Sequence, residues 1–302
     1  MNIKSHKAKN IIVIIIFTIL CFIIVSNQAI ISRSITSSLK LCLSSIIPSV
    51  FPFMILSDFL ISNLEMSYPS SRKSTLSSTT YVKIIVFLIG NICGFPLGVH
   101  LASKLNDKNL LSDEDYIFIS SISSNASLAF IISGVGLGMR SSLNDGILLY
   151  ISIFFATIIT STIYNKKTSA RFLSGNIGKN FFSLSSSIKN ATLSSIFVCS
   201  YIMFFSMIIN FIISLNLPQV LTLLLAPVLE IGNGTFIISK SSLSGSLSLA
   251  YTAFTLGFSG ISVYMQISNI MEEKMNTIKY FTMKLTEGII AFIIAFVISK
   301  LL

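Results

Sequence analysis

Charge is what this chain has least of. Its 302 residues include 21 Lys and Arg and 11 Asp and Glu, so charged side chains make up 11%, against about 25% in an ordinary soluble domain. Hydrophobic residues reach 53% and the mean hydropathy is +0.84. Such a chain cannot cover a core with wetted surface, which excludes a cytosolic enzyme, a disordered tail and a disulfide-stapled secreted domain. Cysteine is scarce too. Cys21, Cys42, Cys93 and Cys199 lie in apolar surroundings without CxxC or Cys/His spacing, so they read as small packing residues, with no metal site, cofactor or disulfide framework.

The net charge of +10 raises the question of a nucleic-acid partner. No stretch interleaves basic and aromatic residues on a polar face, and the excess sits in short segments between apolar runs; the bilayer is the expected partner and nucleic acid is not. Lys4, Lys7 and Lys9 precede the apolar run from Ile11 to Val25, as in a secretory signal. Ser26 to Ala29 is a poor cleavage site, so an uncleaved first helix with a cytoplasmic N-terminus is expected.

Windows of about 20 apolar residues, long enough to cross the hydrocarbon, fall at 10–28, 41–61, 116–138, 146–164, 191–213, 246–269 and 285–302. Two more, 82–104 and 219–240, are interrupted midway by GNICGFPLG (Gly90 to Gly98) and APVLEIGNG (Ala226 to Gly234). Loop charge orients them, because Lys and Arg favour the cytoplasmic side. Segment 165–190 carries Lys166, Lys167, Arg171, Lys179 and Lys189 with no acid, and Lys274, Lys279 and Lys284 precede the last span. Both basic segments lie inside only if segment 219–240 leaves and returns on the outer face, and the loop around Arg72, Lys73 and Lys83 is cytoplasmic only if segment 82–104 starts and ends on the cytoplasmic face.

The expectation is an all-α polytopic membrane protein of about seven transmembrane helices plus two re-entrant helical hairpins in an inverted repeat. Its parts are an N-terminal helix and connector (1–38), a first repeat (39–164) with hairpin 82–104, a basic cytoplasmic loop (165–190) and a second repeat (191–302) with hairpin 219–240. In each half, a span and a broken hairpin are followed by a span interrupted by small and polar residues. Secondary transporters hold substrate near the midplane at such breaks, because broken backbone survives at membrane depth only where protein or a wet cavity satisfies it.

The candidate binding residues cluster at these breaks. In the first tip, Gly94 and Gly98 permit close approach, Phe95 lies between them and Pro96 suits the first turn of a restarting helix; the freed amides would suit an anion. The alternative is a plain kink. Ser124, Asn125 and Ser127 crowd the middle of span 116–138, where Asn125 can donate and accept or else bond a neighbouring helix. The second half offers Glu230, Asn233 and Gly234 at its tip, then Ser259 and Gln266 in span 246–269. A carboxylate at membrane depth marks a function by default, proton coupling included; interface placement or pairing with a backbone donor are the alternatives for Glu230. His100 has both a pH-sensing and a structural reading. Asp58 and Glu287 fall near expected span ends, where water reaches them. GFSG (Gly257 to Gly260) has the form of an intramembrane serine protease motif, but it is cheap in a Ser- and Gly-rich chain, so no enzyme and no catalytic residue is expected.

On IIPSVFPFMILSDFL (Ile46 to Leu60), GFPLGVHLASKL (Gly94 to Leu105), SSNASLAFIISGVGLG (Ser123 to Gly138) and GFSGISVYMQI (Gly257 to Ile267), the chain resembles sporulation integral membrane proteins of the YlbJ type. These belong to the larger group with a nucleoside-recognition or Gate domain. The resemblance runs from about residue 39 to the end. It implies kinship to concentrative nucleoside carriers, with two re-entrant hairpins and inverted repeats, and a role in moving dipicolinate across a membrane around the developing spore. A small planar dianion would suit hairpin amides and Asn125. The leading expectation is thus a transporter or facilitator of a small organic anion, with a nucleoside carrier or a membrane scaffold in spore-envelope assembly as alternatives. The expected partners are the anionic substrate, the bilayer, and a second copy or other sporulation membrane proteins.

Overall fold

The computed structural model describes residues 24–48, 51–56, 75–107, 111–164 and 183–301, with scattered positions between 11 and 22. Asp58 and most of the basic segment 165–190 lie outside them. The described residues are 89% helical, without a strand. The elements are α1 (Gln28–Leu41), α2 (Thr75–Cys93), α3 (Leu97–Asp107), α4 (Asp113–Ile122), α5 (Phe130–Met139), α6 (Leu143–Tyr164), α7 (Leu184–Ser214), α8 (Gln219–Leu229), α9 (Ile231–Ser239), α10 (Gly245–Phe258), α11 (Gly260–Met271) and α12 (Thr277–Leu301). A π turn, Cys42–Ile46, continues α1, and α5 is wound in π register.

Four helical stretches are long and apolar enough to cross a membrane: Leu143–Tyr164, Leu184–Ser214, Gly245–Lys274 and Thr277–Leu301. They coincide with four expected spans, with two boundary corrections. Helix α7 begins at Leu184, inside the segment assigned to the basic loop, with Ser183 Oγ accepting from the Ser186 amide. Helix α12 begins at Thr277, so Lys279 and Lys284 are helical. Span 116–138 is not one rod. Helix α4 starts at the Ser112 cap with Asp113, Glu114 and Asp115 in its first turn, a charge pattern that suits the positive helix end, and it stops at Ile122 before five non-helical residues.

Both interrupted segments fold back on themselves. A Cβ built on Gly98 would stand 2.8 Å from the Gly90 Cα, and one on Gly234 would stand 2.5 Å from the Pro227 Cα. In an unbroken helix, residues eight apart lie about 12 Å apart. Helices α2 and α3 therefore pair across the Gly94–Pro96 turn, and α8 and α9 pair across Glu230. Gly94, at φ +83°, takes the left-handed conformation that glycine adopts most readily.

The packing departs from that of a water-soluble protein in burying small polar residues while exposing large apolar ones. Ser120, Ser152, Thr157, Thr252 and Thr255 are buried, whereas Phe22, Ile196, Ile293 and Leu224 face outward. In lipid there is no hydrophobic drive between helices, so contact relies on small residues and interhelical hydrogen bonds. The main core joins α2–α6 to α10–α12. A smaller cluster of Cys42, Val198, Cys199 and Ile202 joins the end of α1 to α7. At one end, Arg140 Nε meets Asp145 at 2.7 Å and Nη1 donates to Ser248 Oγ at 3.0 Å, tying the α5–α6 turn to α10.

Where α5 crosses α6, a Cβ on Gly136 would approach the Gly146 Cα to 2.6 Å. Gly136→Ala should therefore cost about 1–3 kcal/mol of overpacking and lower the unfolding temperature in detergent. Gly245→Ala, with nothing within 4 Å of its Cβ, should leave that temperature unchanged or slightly raised.

Candidate functional site

The two fold-back tips meet around one cavity of about 310 Å³, lined by Cys93 and Phe95 from the first tip, Glu230 and Gly232 from the second, and Ser127 and Phe130 from the α4–α5 break. Each tip rests on a broken helix. The Phe95 amide donates to the Asn125 carbonyl at 2.8 Å, and a Cβ on Gly94 would lie 2.5 Å from the Ser127 nitrogen. On the other side, Gly260 lies beneath the carbonyls of Pro227, Val228 and Leu229, at the point where Ser259 takes φ +70° and splits α10 from α11. Each fold-back tip is thus seated on a helix break.

The second tip carries its own cap. Glu230, 2% exposed, caps α9 and accepts from the Gly232 amide at 2.8 Å, the Asn233 amide at 2.7 Å and Asn233 Nδ2 at 2.7 Å. Asn233 Nδ2 also reaches Ser206 Oγ on α7 at 2.7 Å. This is the backbone-donor pairing that stood among the alternatives for Glu230, and it engages two first-turn amides of α9. A carboxylate at a helix start is stabilised by those amides and by the dipole, which explains how it is held at this depth.

Asn125 does not line the cavity. Its side chain joins a buried network in which Nδ2 donates to Asn91 Oδ1 and Thr157 Oγ1, each at 2.8 Å. Its Oδ1 accepts from Lys284 Nζ. Lys284 pairs with Glu287 at 2.9 Å, both 1% exposed, and Thr157 Oγ1 donates to Glu287 Oε1 at 2.6 Å. The expectation that water reaches Glu287 and that Lys284 marks a loop is corrected: the two stand one turn apart on the inner face of α12, and their neighbours supply the remaining partners. Ser124 Oγ lies 3.2 Å from Tyr280 Oη beside the same network.

The other expected residues disperse. Gly98 and Gly234 serve the hairpin crossings, and Ser259 Oγ donates to the Leu256 carbonyl at 3.2 Å. Pro96 and Gln266 line a second cleft, described below, together with His100, whose Nε2 stands 3.2 Å from Ser194 Oγ. Sequence reasoning missed Asn91, Thr157, Tyr280 and Lys284. The available signal was the three-residue spacing of Lys284 and Glu287 in an otherwise apolar stretch, hidden because the hydropathy window began at 285.

Against known proteins, the chain is 21% identical over 344 aligned positions to the sporulation integral membrane protein YlbJ of Bacillus subtilis (strain 168), covering 97% of this chain and 84% of that one. The likeness supports a YlbJ-type assignment. No family model and no solved structure matches. With four helices of spanning length and apolarity, the YlbJ-like chain is an integral membrane protein.

A buried pair is costly to break and cheap to replace whole. Lys284→Met or Glu287→Leu alone should cost about 3–5 kcal/mol by leaving one uncompensated charge. The double substitution should recover most of that loss in detergent thermal unfolding, and a double variant no more stable than either single one would show that the pair is not the unit.

Proposed function

We propose that the chain is a transporter or facilitator of a small organic anion that works in a membrane of the spore-forming cell, with dipicolinate the first substrate to test. The observation that carries this reading is the convergence of two fold-back tips and the α4–α5 break on one cavity of about 310 Å³, with the second tip seated on the α10–α11 break. Backbone breaks at membrane depth are tolerated where they line a cavity or are buried in protein, and repeats with discontinuous helices place the substrate at such a point. The likeness to a sporulation membrane protein supports the setting, and the paired tip-on-break contacts support an inverted repeat with re-entrant hairpins.

Within this reading Asn125 positions rather than binds. Its carbonyl holds the first tip through the Phe95 amide, and its side chain links that tip to Lys284 on α12. Glu230 holds the second tip in shape through three N–H donors. The cavity wall of Phe95, Phe130 and Ser127 offers aromatic surface and a hydroxyl to a planar solute.

The test is uptake into proteoliposomes. Wild type should accumulate labelled dipicolinate. Asn125→Ala and Glu230→Gln, which leave the tips under-held, should each reduce the initial rate by on the order of tenfold, the kinetic equivalent of about 1.4 kcal/mol. No uptake of any small carboxylate by wild type, or variants as active as wild type, would overturn the reading.

A further inference from the structure

Away from the cavity between the tips, a second cleft of about 410 Å³ runs between α3, α7 and α11. Two of its walls are built at helical spacing. Helix α3, with the turn before it, contributes Pro96, His100, Lys104 and Asp107; α7 contributes Asn190, Ser194, Val198 and Tyr201. Each set steps by three or four residues and so lies along a single face. Helix α11 adds Gln266 and Asn269. The opposite face of α7 carries Ile196, 54% exposed, as suits a lipid-facing side.

The polar atoms of the cleft are not all satisfied. Gln266 is 4% exposed; its Nε2 donates to Ser262 Oγ at 3.3 Å, but the buried Oε1 has no hydrogen-bond partner among the described residues. An orphaned buried acceptor carries a desolvation cost of about 1–3 kcal/mol, which a donor from water or a solute removes. The charged groups Lys104, Asp107 and Glu272 gather where α3 and α11 end and α7 begins, marking that end as the mouth. The interior carries an imidazole, amides and hydroxyls, and His100 reaches across it to Ser194.

We propose that this cleft is a water-filled binding site for a small polar solute that gives an N–H or O–H to Gln266 Oε1 and accepts from the amide donors around it. It deepens the transport reading and rests on it for its purpose, since the inner end of the cleft is the Pro96 side of the tip whose Phe95 side lines the central cavity. Val198 lines both spaces. The first tip and α7 therefore form the wall between an access site and the central one.

The experiment uses the full chain in proteoliposomes, with the four native cysteines replaced. Ser194→Cys and Asn269→Cys probe the cleft from two helices, and Ile196→Cys supplies a control at the same depth on the outer face of α7. Methanethiosulfonate reagents that do not cross membranes react with the thiolate, which forms only where water reaches. Both cleft positions should react within about an order of magnitude of a loop cysteine while Ile196→Cys stays inert. Millimolar uridine, which has N–H and O–H donors, should slow the reaction, and Gln266→Leu should remove that protection without closing the cleft to reagent.

Cleft cysteines as inert as Ile196→Cys would overturn the proposal. Labelling that uridine does not slow would reduce the cleft to a water path and overturn the binding site. Protection by uridine in a protein that transports neither uridine nor dipicolinate would leave the site standing and remove the transport reading, whereas transport with both cleft positions inert would do the reverse.

Discussion

A bilayer offers no water to a backbone that leaves its helix, and each unsatisfied amide or carbonyl in hydrocarbon costs several kcal/mol. That constraint organises this protein. The chain interrupts its helices at Gly94, Asn125, Glu230 and Ser259, and supplies partners from within at each site described. The first tip gives its Phe95 amide to Asn125, the second is capped by the Glu230 carboxylate, and the left-handed turn at Ser259 and Gly260 packs beneath the end of α8. Bringing the four interruptions together concentrates this satisfied polar backbone and leaves the outside of the helices to the lipid.

The second feature is what holds those interruptions in register. Lys284 and Glu287 form a buried pair on α12, and Asn125, Thr157 and Asn91 complete it from the α4–α5 break, α6 and α2. A lone charge in such a place would be untenable, and a pair is tolerable when its remaining hydrogen-bonding capacity is met. Five polar side chains from four parts of the chain thus act as one joint, from which the first tip is suspended through a single carbonyl.

The two spaces flanking the first tip differ in character. The central cavity is walled by Phe95, Phe130 and a self-capped carboxylate; the cleft behind it is lined by an imidazole, amides and hydroxyls. A tip thin enough to separate them, fixed to the rest of the molecule through Asn125, is the element on which exposure to one side or the other would turn.

The hydropathy windows located the four described spanning helices to within a few residues at most ends, and Gly, Pro and small polar residues inside two apolar runs revealed where those runs break. These properties were legible because the transfer free energy of a segment and the backbone freedom of a glycine belong to the segment itself. The roles of the site residues were not. Asn125 stood out as polar, but its partner Lys284 lies 159 residues away. Glu287 looked wetted because its distance from the helix end was misjudged by eight residues, and of the readings open for Glu230 the structure shows pairing with backbone donors. The sequence by itself determined that the chain lives in lipid and where its helices must interrupt; tertiary packing alone decided which distant groups satisfy the interruptions, because a hydrogen bond depends on angstrom-scale placement that no local property of the chain specifies.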